Sequence, residues 1–182
     1  MNKNLVVLIL FFFFISSTVS YSQNAKQTQK LVNQANRNMA LEKWYDALPL
    51  LLKLDSLKPD DPEINYKLGL AQFNTFNKPK SLQNFLVASH GNYEAADLDY
   101  YLGRAYQYNH KFTEAIAYYQ KYDATLDLSD DLDRMRHNEV SRYLENCAVG
   151  NALLPDSILL EIQNAGPQVN SVYPDYVPVV SS

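Results

Sequence analysis

The stretch DYYLGRAYQYNHKFTEAIAYYQKY, residues 99–122, decides the fold. It holds seven of the chain's 14 tyrosines, and a Leu102-Gly103 pair lies among them. The same pair occurs earlier as Leu68-Gly69, and 102 − 68 gives a spacing of 34 residues. A spacing of this length indicates a repeat architecture, because each unit buries its apolar face only against its neighbours.

Other positions follow the same spacing. Small residues recur at 35, 69 and 103 and again at 47, 81 and 115, and large apolar or aromatic residues recur at 51, 85 and 119. Two antiparallel helices pack closely where small residues let their backbones approach, and bulky residues then fill the remaining gap. These columns predict three helical hairpins, at about residues 28–61, 62–95 and 96–129.

This pattern resembles the tetratricopeptide repeat (TPR), which has a large residue, Leu-Gly and Tyr on a first helix and Ala and an aromatic residue on a second. The third repeat matches best, through Leu102, Gly103, Tyr106, Phe112, Ala115 and Tyr119. Trp44 aligns with Phe112, although Lys78 interrupts that column. The resemblance implies an all-α fold, a solenoid of three helix hairpins, with a groove lined by the first helices.

Helix-breaking residues fall where such hairpins need turns, at positions 58–62, 77–79, 90–92 and 109–111. A further helix is expected to follow and to cover the last apolar face. Ser129 is its predicted N-cap and Gly150 its predicted stop. Its apolar stripe is predicted to comprise Leu132, Met135, Val140, Tyr143, Leu144 and Cys147.

The two ends of the chain differ from the helical region. Lys3, an apolar run over residues 5–15 and small polar residues up to Ser22 have the layout of a secretory signal peptide. We therefore expect a signal peptide at 1–22 and a helical domain at 23–154. The segment 155–182 is rich in proline, with a short strand pattern at 158–162, and is expected to be an extended tail.

The tail NAGPQVNSVYPDYVPVV, read together with the leader and the repeats, is similar to the N-terminal portion of Bacteroidetes-type OmpA-family envelope proteins. In that family the tail leads into a TolB-like β-propeller and a peptidoglycan-binding domain. The resemblance implies a periplasmic or outer-membrane-associated protein. It also implies a truncated or fragmentary member, in which 155–182 begins a missing propeller and peptidoglycan binding would need a domain absent from this chain.

Composition and motifs argue against several other functions. A net charge of −4 without a basic stripe is unfavourable for nucleic-acid binding. The sequence has no phosphate-binding loop, dinucleotide motif or nucleophile elbow, and its three histidines lack metal-ligand spacing. We therefore expect no enzyme activity, small-molecule substrate, cofactor or metal. Cys147 is the only cysteine and is predicted to be a buried, inert thiol.

The register of the TPR resemblance assigns ten residues to the groove: Asn36, Met39, Tyr66, Leu70, Phe73, Asn74, Tyr100, Arg104, Gln107 and Tyr108. Tyrosine, methionine and arginine are enriched at protein interfaces. Packing against neighbouring repeats or the tail is an equal alternative for Tyr66, Leu70 and Phe73. Tyr101, Tyr118 and Tyr122 are expected to face either a neighbouring repeat or the capping helix.

Two functional hypotheses follow from this arrangement. In the first, the protein is a scaffold that binds a peptide or an envelope protein in the groove. In the second, the helices are a structural spacer or dock for a C-terminal region, and the chain's own tail fills the groove. Substitution of Tyr100 and Arg104 tests the first hypothesis, and deletion of residues 155–182 tests the second.

Overall fold

The fold is known from a computed structural model, which describes residues 25–76 and 78–156. The chain divides into two units, residues 1–152 and 153–182. The predicted signal peptide and almost all of the predicted tail lie outside the described residues. Within these residues there are seven helices and no strand: α1 (25–40), α2 (Trp44–Leu57), α3 (Pro62–Phe73), α4 (Ser81–His90), α5 (Leu98–Tyr108), α6 (Phe112–Asp123) and α7 (Asp131–Leu153).

The hairpins α1–α2, α3–α4 and α5–α6 are held together by the predicted pairs of small and large residues. A Cβ atom at Gly69 would lie 2.6 Å from the Phe85 ring, and one at Gly103 would lie 2.7 Å from the Tyr119 ring. Both rings are completely buried. The glycines are therefore required for the close approach of a ring to the facing helix, which confirms the small and large columns.

Three apolar clusters join successive hairpins. The first combines Leu51 and Leu54 of α2 with Leu68 of α3. The second combines Phe85 of α4 with Leu102 of α5. The third combines residues of α6 with α7, and consists of Ala115, Tyr119, Tyr122, Val140 and Cys147. Each hairpin is thus completed by the first helix of the next unit, and α7 completes the third, as predicted for a capping helix.

The turns between helices also lie where the sequence predicted them. At the start of α3, the carboxylate of Asp61 accepts a hydrogen bond from the Ile64 amide at 3.1 Å, and Pro62 occupies the first helical position. Glu42 and His110 both have left-handed backbones, with φ values of 54° and 57°. They are 110 − 42 = 68 residues apart, so the first and third hairpins use the same turn at equivalent repeat positions.

The predicted N-cap of α7 was wrong by one residue. The carboxylate of Asp130, not the hydroxyl of Ser129, accepts hydrogen bonds from the amides of Leu132 (2.9 Å) and Asp133 (3.1 Å). Ser129 instead donates its hydroxyl to Asp127 at 2.8 Å. Asp130 is the better cap because a carboxylate accepts both amide hydrogen bonds and also complements the positive end of the helix.

Gly150 was also predicted wrongly, because α7 continues past it to Leu153. A Cβ atom at Gly150 would lie 2.6 Å from the Phe112 ring, so this glycine admits a ring from α6 rather than ending the helix. The predicted stripe is correct for Val140 and Cys147, which are fully buried. Leu132 and Met135 are mainly exposed, because the buried contacts of α7 involve its middle and carboxyl-terminal turns.

Candidate functional site

Four of the ten predicted groove residues meet on one face of α5 and α3. Tyr100, Arg104 and Tyr108 are spaced four residues apart on α5, so they share a face of the helix. The Arg104 guanidinium lies 5.3 Å from the centre of the Phe73 ring and 5.8 Å from those of Tyr100 and Tyr108. Tyr143 of α7 is closer still, at 4.3 Å. These five residues are called the arginine cluster below.

Hydrogen bonds fix the arginine cluster in place. Arg104 Nη1 donates to the hydroxyl oxygens of Tyr100 at 2.9 Å and Tyr143 at 2.7 Å. Both tyrosines in turn donate to Glu139 of α7, at 3.2 and 2.6 Å. The capping helix is therefore attached to α5 by a polar network as well as by apolar contacts, and it partly covers Tyr100 and Arg104.

Arg104 and the two tyrosines that it contacts keep their protons near neutral pH. Burial raises the pKa of the Tyr100 and Tyr143 hydroxyls. Burial lowers the pKa of Arg104, but its interactions with Tyr100 and Tyr143 outweigh that effect and raise the pKa above its usual value. The cluster therefore presents a permanent cation and neutral hydroxyls. Such groups suit recognition, since none of them would exchange a proton readily at pH 7.

Lys78 adds a second cation that the groove prediction missed. Its Nζ donates to the Phe73 carbonyl at 2.9 Å and lies 5.3 Å from the Phe73 ring and 5.8 Å from the Tyr108 ring. The position of Lys78 in the repeat could have indicated a special role, because the equivalent positions in the other two repeats carry the aromatic residues Trp44 and Phe112. Tyr108 is 39% exposed, so its ring is accessible between two positive charges.

Other predicted groove residues pack within the helical stack. Tyr66 is only 9% exposed, and its hydroxyl donates to Asp97 at 2.5 Å. Leu70 is half-buried against the second apolar cluster. Gln107 accepts a hydrogen bond from the Tyr119 hydroxyl at 2.7 Å, inside the third hairpin. Packing between repeats, which was the alternative for Tyr66, Leu70 and Phe73, therefore accounts for much of their buried surface. Phe73 is also a member of the arginine cluster.

The last three predicted residues lie at different places. Asn74 is exposed beside Phe73, and its side chain donates to the Leu70 carbonyl at 2.9 Å. Asn36 lines a separate cavity of about 300 Å³ between α1, α2 and α3. Met39 packs against the first apolar cluster. The structure therefore does not bring the α1 residues to the arginine cluster.

The tyrosines whose direction was left open divide between neighbours. Tyr101 packs against Phe73 and Phe85 of the preceding hairpin, at ring-centre distances of 5.4 and 5.6 Å. Tyr122 belongs to the third apolar cluster, with Val140 of the capping helix. Burial raises the pKa of Tyr101 to about 12. The Tyr101 and Tyr122 rings also border a cavity near the start of α5. Tyr118, the third of these tyrosines, stacks on Tyr106 of its own hairpin, with ring centres 5.3 Å apart.

Among residues 25–76 and 78–156, no group of three or more His, Cys, Asp or Glu side chains could hold a metal ion. His137 contacts Asp123, with 2.7 Å between Nδ1 and Oδ1. None of the helices in the same ranges combines the length and the apolar character that crossing a membrane would require.

The fold is similar to that of a solved TPR domain. The crystal structure of the Sgt2 TPR domain from Aspergillus fumigatus matches with a TM-score of 0.50 and 15% sequence identity, over 78% of this chain and 93% of that chain. No family model and no curated protein match the sequence. The similarity shows that the described region is an all-α, TPR-like solenoid, as the 34-residue spacing predicted.

Proposed function

We propose that this protein is an interaction scaffold that binds a peptide segment or another protein of the cell envelope beside the arginine cluster. The observation that carries the proposal is the meeting of Phe73, Tyr100, Arg104 and Tyr108, four of the residues assigned to the groove from sequence. Lys78 extends the same surface. Tyrosine and arginine are the side chains that most often dominate the energetics of protein interfaces.

The rigidity of the cluster supports this function. Arg104 is held by two tyrosine hydroxyls and is only 17% exposed, so a partner would not have to order it. Binding costs about 0.5–1.5 kcal/mol for each flexible side chain that becomes immobilised, and preorganised groups avoid that cost. The accessible part of the surface is Tyr108, with Asn74 and Lys78 beside Phe73. We propose that the partner contacts this part, because α7 covers much of the rest.

A peptide selection tests the proposal. Binders would be selected from a random peptide display library against the purified protein and then measured against Tyr108→Ala and Tyr45→Ala. Tyr45 is the matched control, since it is 63% exposed and contacts Phe76 rather than the cluster. We expect Tyr108→Ala to weaken binding at least about tenfold, as loss of an interface anchor does. Equal effects of the two substitutions would contradict the proposed surface.

We also propose that the protein functions in the cell envelope, as its resemblance to OmpA-family proteins implies. The support is the pattern of Lys3, the apolar run and the small polar residues before Gln23. Mass spectrometry of the protein from its native cells tests this proposal. A mature chain beginning at Gln23 in an envelope fraction is expected, and a cytoplasmic chain that retains residues 1–22 would contradict it.

A further inference from the structure

A second binding feature lies at the amino-terminal end of α5, beyond the arginine cluster. It is an open cavity of about 210 Å³, here called the tyrosine slot, lined by Asp97, Tyr100, Tyr101, Tyr122, Arg136 and Glu139. An adjoining cavity of about 300 Å³ shares Asp97, Tyr122 and Arg136 with it. Three helices and one turn thus contribute to one cleft: the turn before α5, α5 itself, the end of α6 and the amino-terminal half of α7.

Three aromatic rings form the walls of the tyrosine slot. Tyr100 and Tyr101 meet edge to face, with ring centres 5.3 Å apart, and Tyr100 and Tyr122 are 5.4 Å apart with their planes inclined by 54°. Among the described residues, no protein group forms a hydrogen bond with the hydroxyl of Tyr101 or Tyr122. The slot therefore offers aromatic surface together with hydroxyl groups that are free to bind a ligand.

The net charge of the tyrosine slot is slightly negative. Asp97 and Glu139 line it, and Asp97 is held in place by the Tyr66 hydroxyl at 2.5 Å. Arg136 is the one cation in the lining, and its guanidinium pairs with Asp133 at 3.4 Å. The amino end of α5 adds about half a positive charge. Arg104 lies outside the lining but only 4.0 Å from Glu139. Counting Asp133 and Arg104 as well, three carboxylates face two guanidiniums and one helix end, which leaves a net charge of about −0.5.

We propose that the tyrosine slot binds a basic side chain, an arginine or a lysine, of the protein partner. A cation over tyrosine rings is attracted by the negative faces of the rings, and the carboxylates of Asp97 and Glu139 can accept its hydrogen bonds. The adjoining cavity accommodates the backbone that carries the side chain. This inference rests on the proposed function only in assigning the cation to a protein, since the chemistry of the slot can be tested without one.

The combination of the slot with the arginine cluster orients the partner. Negative charge lies just before α5, at Asp97, and positive charge lies near its other end, at Lys78. Arg104 and Glu139 lie between them, 4.0 Å apart, and largely offset each other. A segment with a basic residue at one end and acidic or aromatic residues at the other would bind in one direction only. Complementary charges of this kind fix register and direction more than they add affinity.

Titration with a small probe tests the slot directly. The purified protein, with its tyrosine rings labelled for NMR, would be titrated with N-acetyl-arginine amide. N-acetyl-citrulline amide is the uncharged control of similar shape, and N-acetyl-glutamate amide is the anionic one. We expect the arginine probe alone to shift the resonances of Tyr101 and Tyr122 in a saturable manner. Binding of citrulline with equal affinity, or preferential binding of glutamate, would overturn the proposal.

Three variants make the test specific. Asp97→Asn keeps an acceptor for the Tyr66 hydroxyl and should weaken binding of the arginine probe about fivefold, as expected for loss of one ion pair. Arg136→Met removes a positive charge that repels the arginine probe, so this variant should bind the probe more strongly. Arg134→Met, on an exposed turn of α7 outside the slot, is the matched control and should leave binding of the probe unchanged. Circular dichroism would show that all three variants are folded.

The two proposals fail in different ways. If Asp97→Asn binds the arginine probe as well as the unaltered protein does, or if Arg136→Met weakens binding, the slot does not bind a cation as proposed. Either result leaves the role of Tyr108 in peptide binding intact. Conversely, a slot that binds arginine as expected would stand even if Tyr108→Ala had no effect on selected peptides.

Discussion

At the scale of single residues, the contact of a ring with a glycine sets the distance between paired helices. The Phe85 ring occupies the space that a methyl group at Gly69 would need, with 2.6 Å between the ring and the position of that Cβ. In the first hairpin the equivalent positions are occupied by Ala35 and Leu51, which are both buried in the first apolar cluster. The smaller side chain of leucine leaves room for the methyl group.

The first prediction concerns this pair. Gly69→Ala should lower the free energy of unfolding by about 1–3 kcal/mol through overpacking against the buried Phe85 ring. Phe85→Leu should lower it through a cavity. The double variant reproduces the Ala35 and Leu51 pair. Its decrease in the free energy of unfolding should therefore be about 1 kcal/mol smaller than the sum of the decreases in the two single variants. Urea unfolding measures all three variants, and simple additivity would contradict the explanation of the columns.

The contacts between small and large residues could be predicted from the sequence, because these positions recur at a fixed spacing. The contacts of Lys78 and Glu139 could not be predicted in this way. Lys78 contacts Phe73 and Tyr108 from the short 3-10 helix Lys78–Lys80. Glu139 contacts Tyr100, which lies 39 residues earlier in the chain. Contacts between side chains of different repeats depend on how the helices are placed, which the repeat pattern leaves open.

At the scale of single elements, α7 differs most from its prediction. Its existence and its buried residues Val140 and Cys147 followed from the apolar stripe. The bounds of α7 were not predicted correctly, because a glycine indicates the end of a helix only when the backbone at that glycine needs the left-handed conformation. Gly150 is instead a packing position for Phe112. This distinction requires knowledge of which ring faces the helix.

The second prediction tests the N-cap of α7. Asp130→Ala should lower the free energy of unfolding by about 1 kcal/mol, because two amides of the first turn lose their acceptor. Ser129→Ala is the matched control at the neighbouring position and should have a smaller effect, since its hydroxyl bonds only to Asp127. Urea unfolding followed by circular dichroism measures both. A larger effect of Ser129→Ala would favour the cap expected from sequence.

At the scale of the whole molecule, tyrosines run through the stack and link its hairpins. Tyr66 reaches Asp97 of the next repeat, and Tyr119 stacks on Tyr143 of the capping helix, with ring centres 5.5 Å apart. Burial raises the pKa of all three of these tyrosines. The three-hairpin order was predictable from the repeat spacing, whereas this network was not, since the sequence shows the number of tyrosines and not their partners.

The third prediction is a loss of stability at alkaline pH. The raised pKa values mean that buried tyrosines keep their protons in the folded state, whereas those of the unfolded chain ionise near pH 10. The stabilisation is therefore complete below pH 10 and declines as the pH rises from 10 through the folded-state pKa values. Each such tyrosine should contribute a loss of about 1.4 kcal/mol per pH unit in that interval.

Urea unfolding between pH 8 and pH 12 measures this slope. Tyr119→Phe should make it shallower, because the variant lacks one of the buried hydroxyls. Tyr45→Phe is the control, since the side chain of Tyr45 lies largely in solvent. A slope that is the same in the protein and in Tyr119→Phe would show that the buried tyrosine is not coupled to the stability of the stack.

The fourth prediction addresses the central claim, that the surface beside the arginine cluster binds a protein partner. A photoreactive phenylalanine analogue would replace Tyr108 in the native cells, and in a separate strain it would replace Tyr45, which is the more exposed of the two, as the control. Illumination should give one discrete crosslinked species from position 108, which Lys78→Ala should diminish, and none from position 45. The same crosslinked species from both positions, or none from position 108, would contradict the claim.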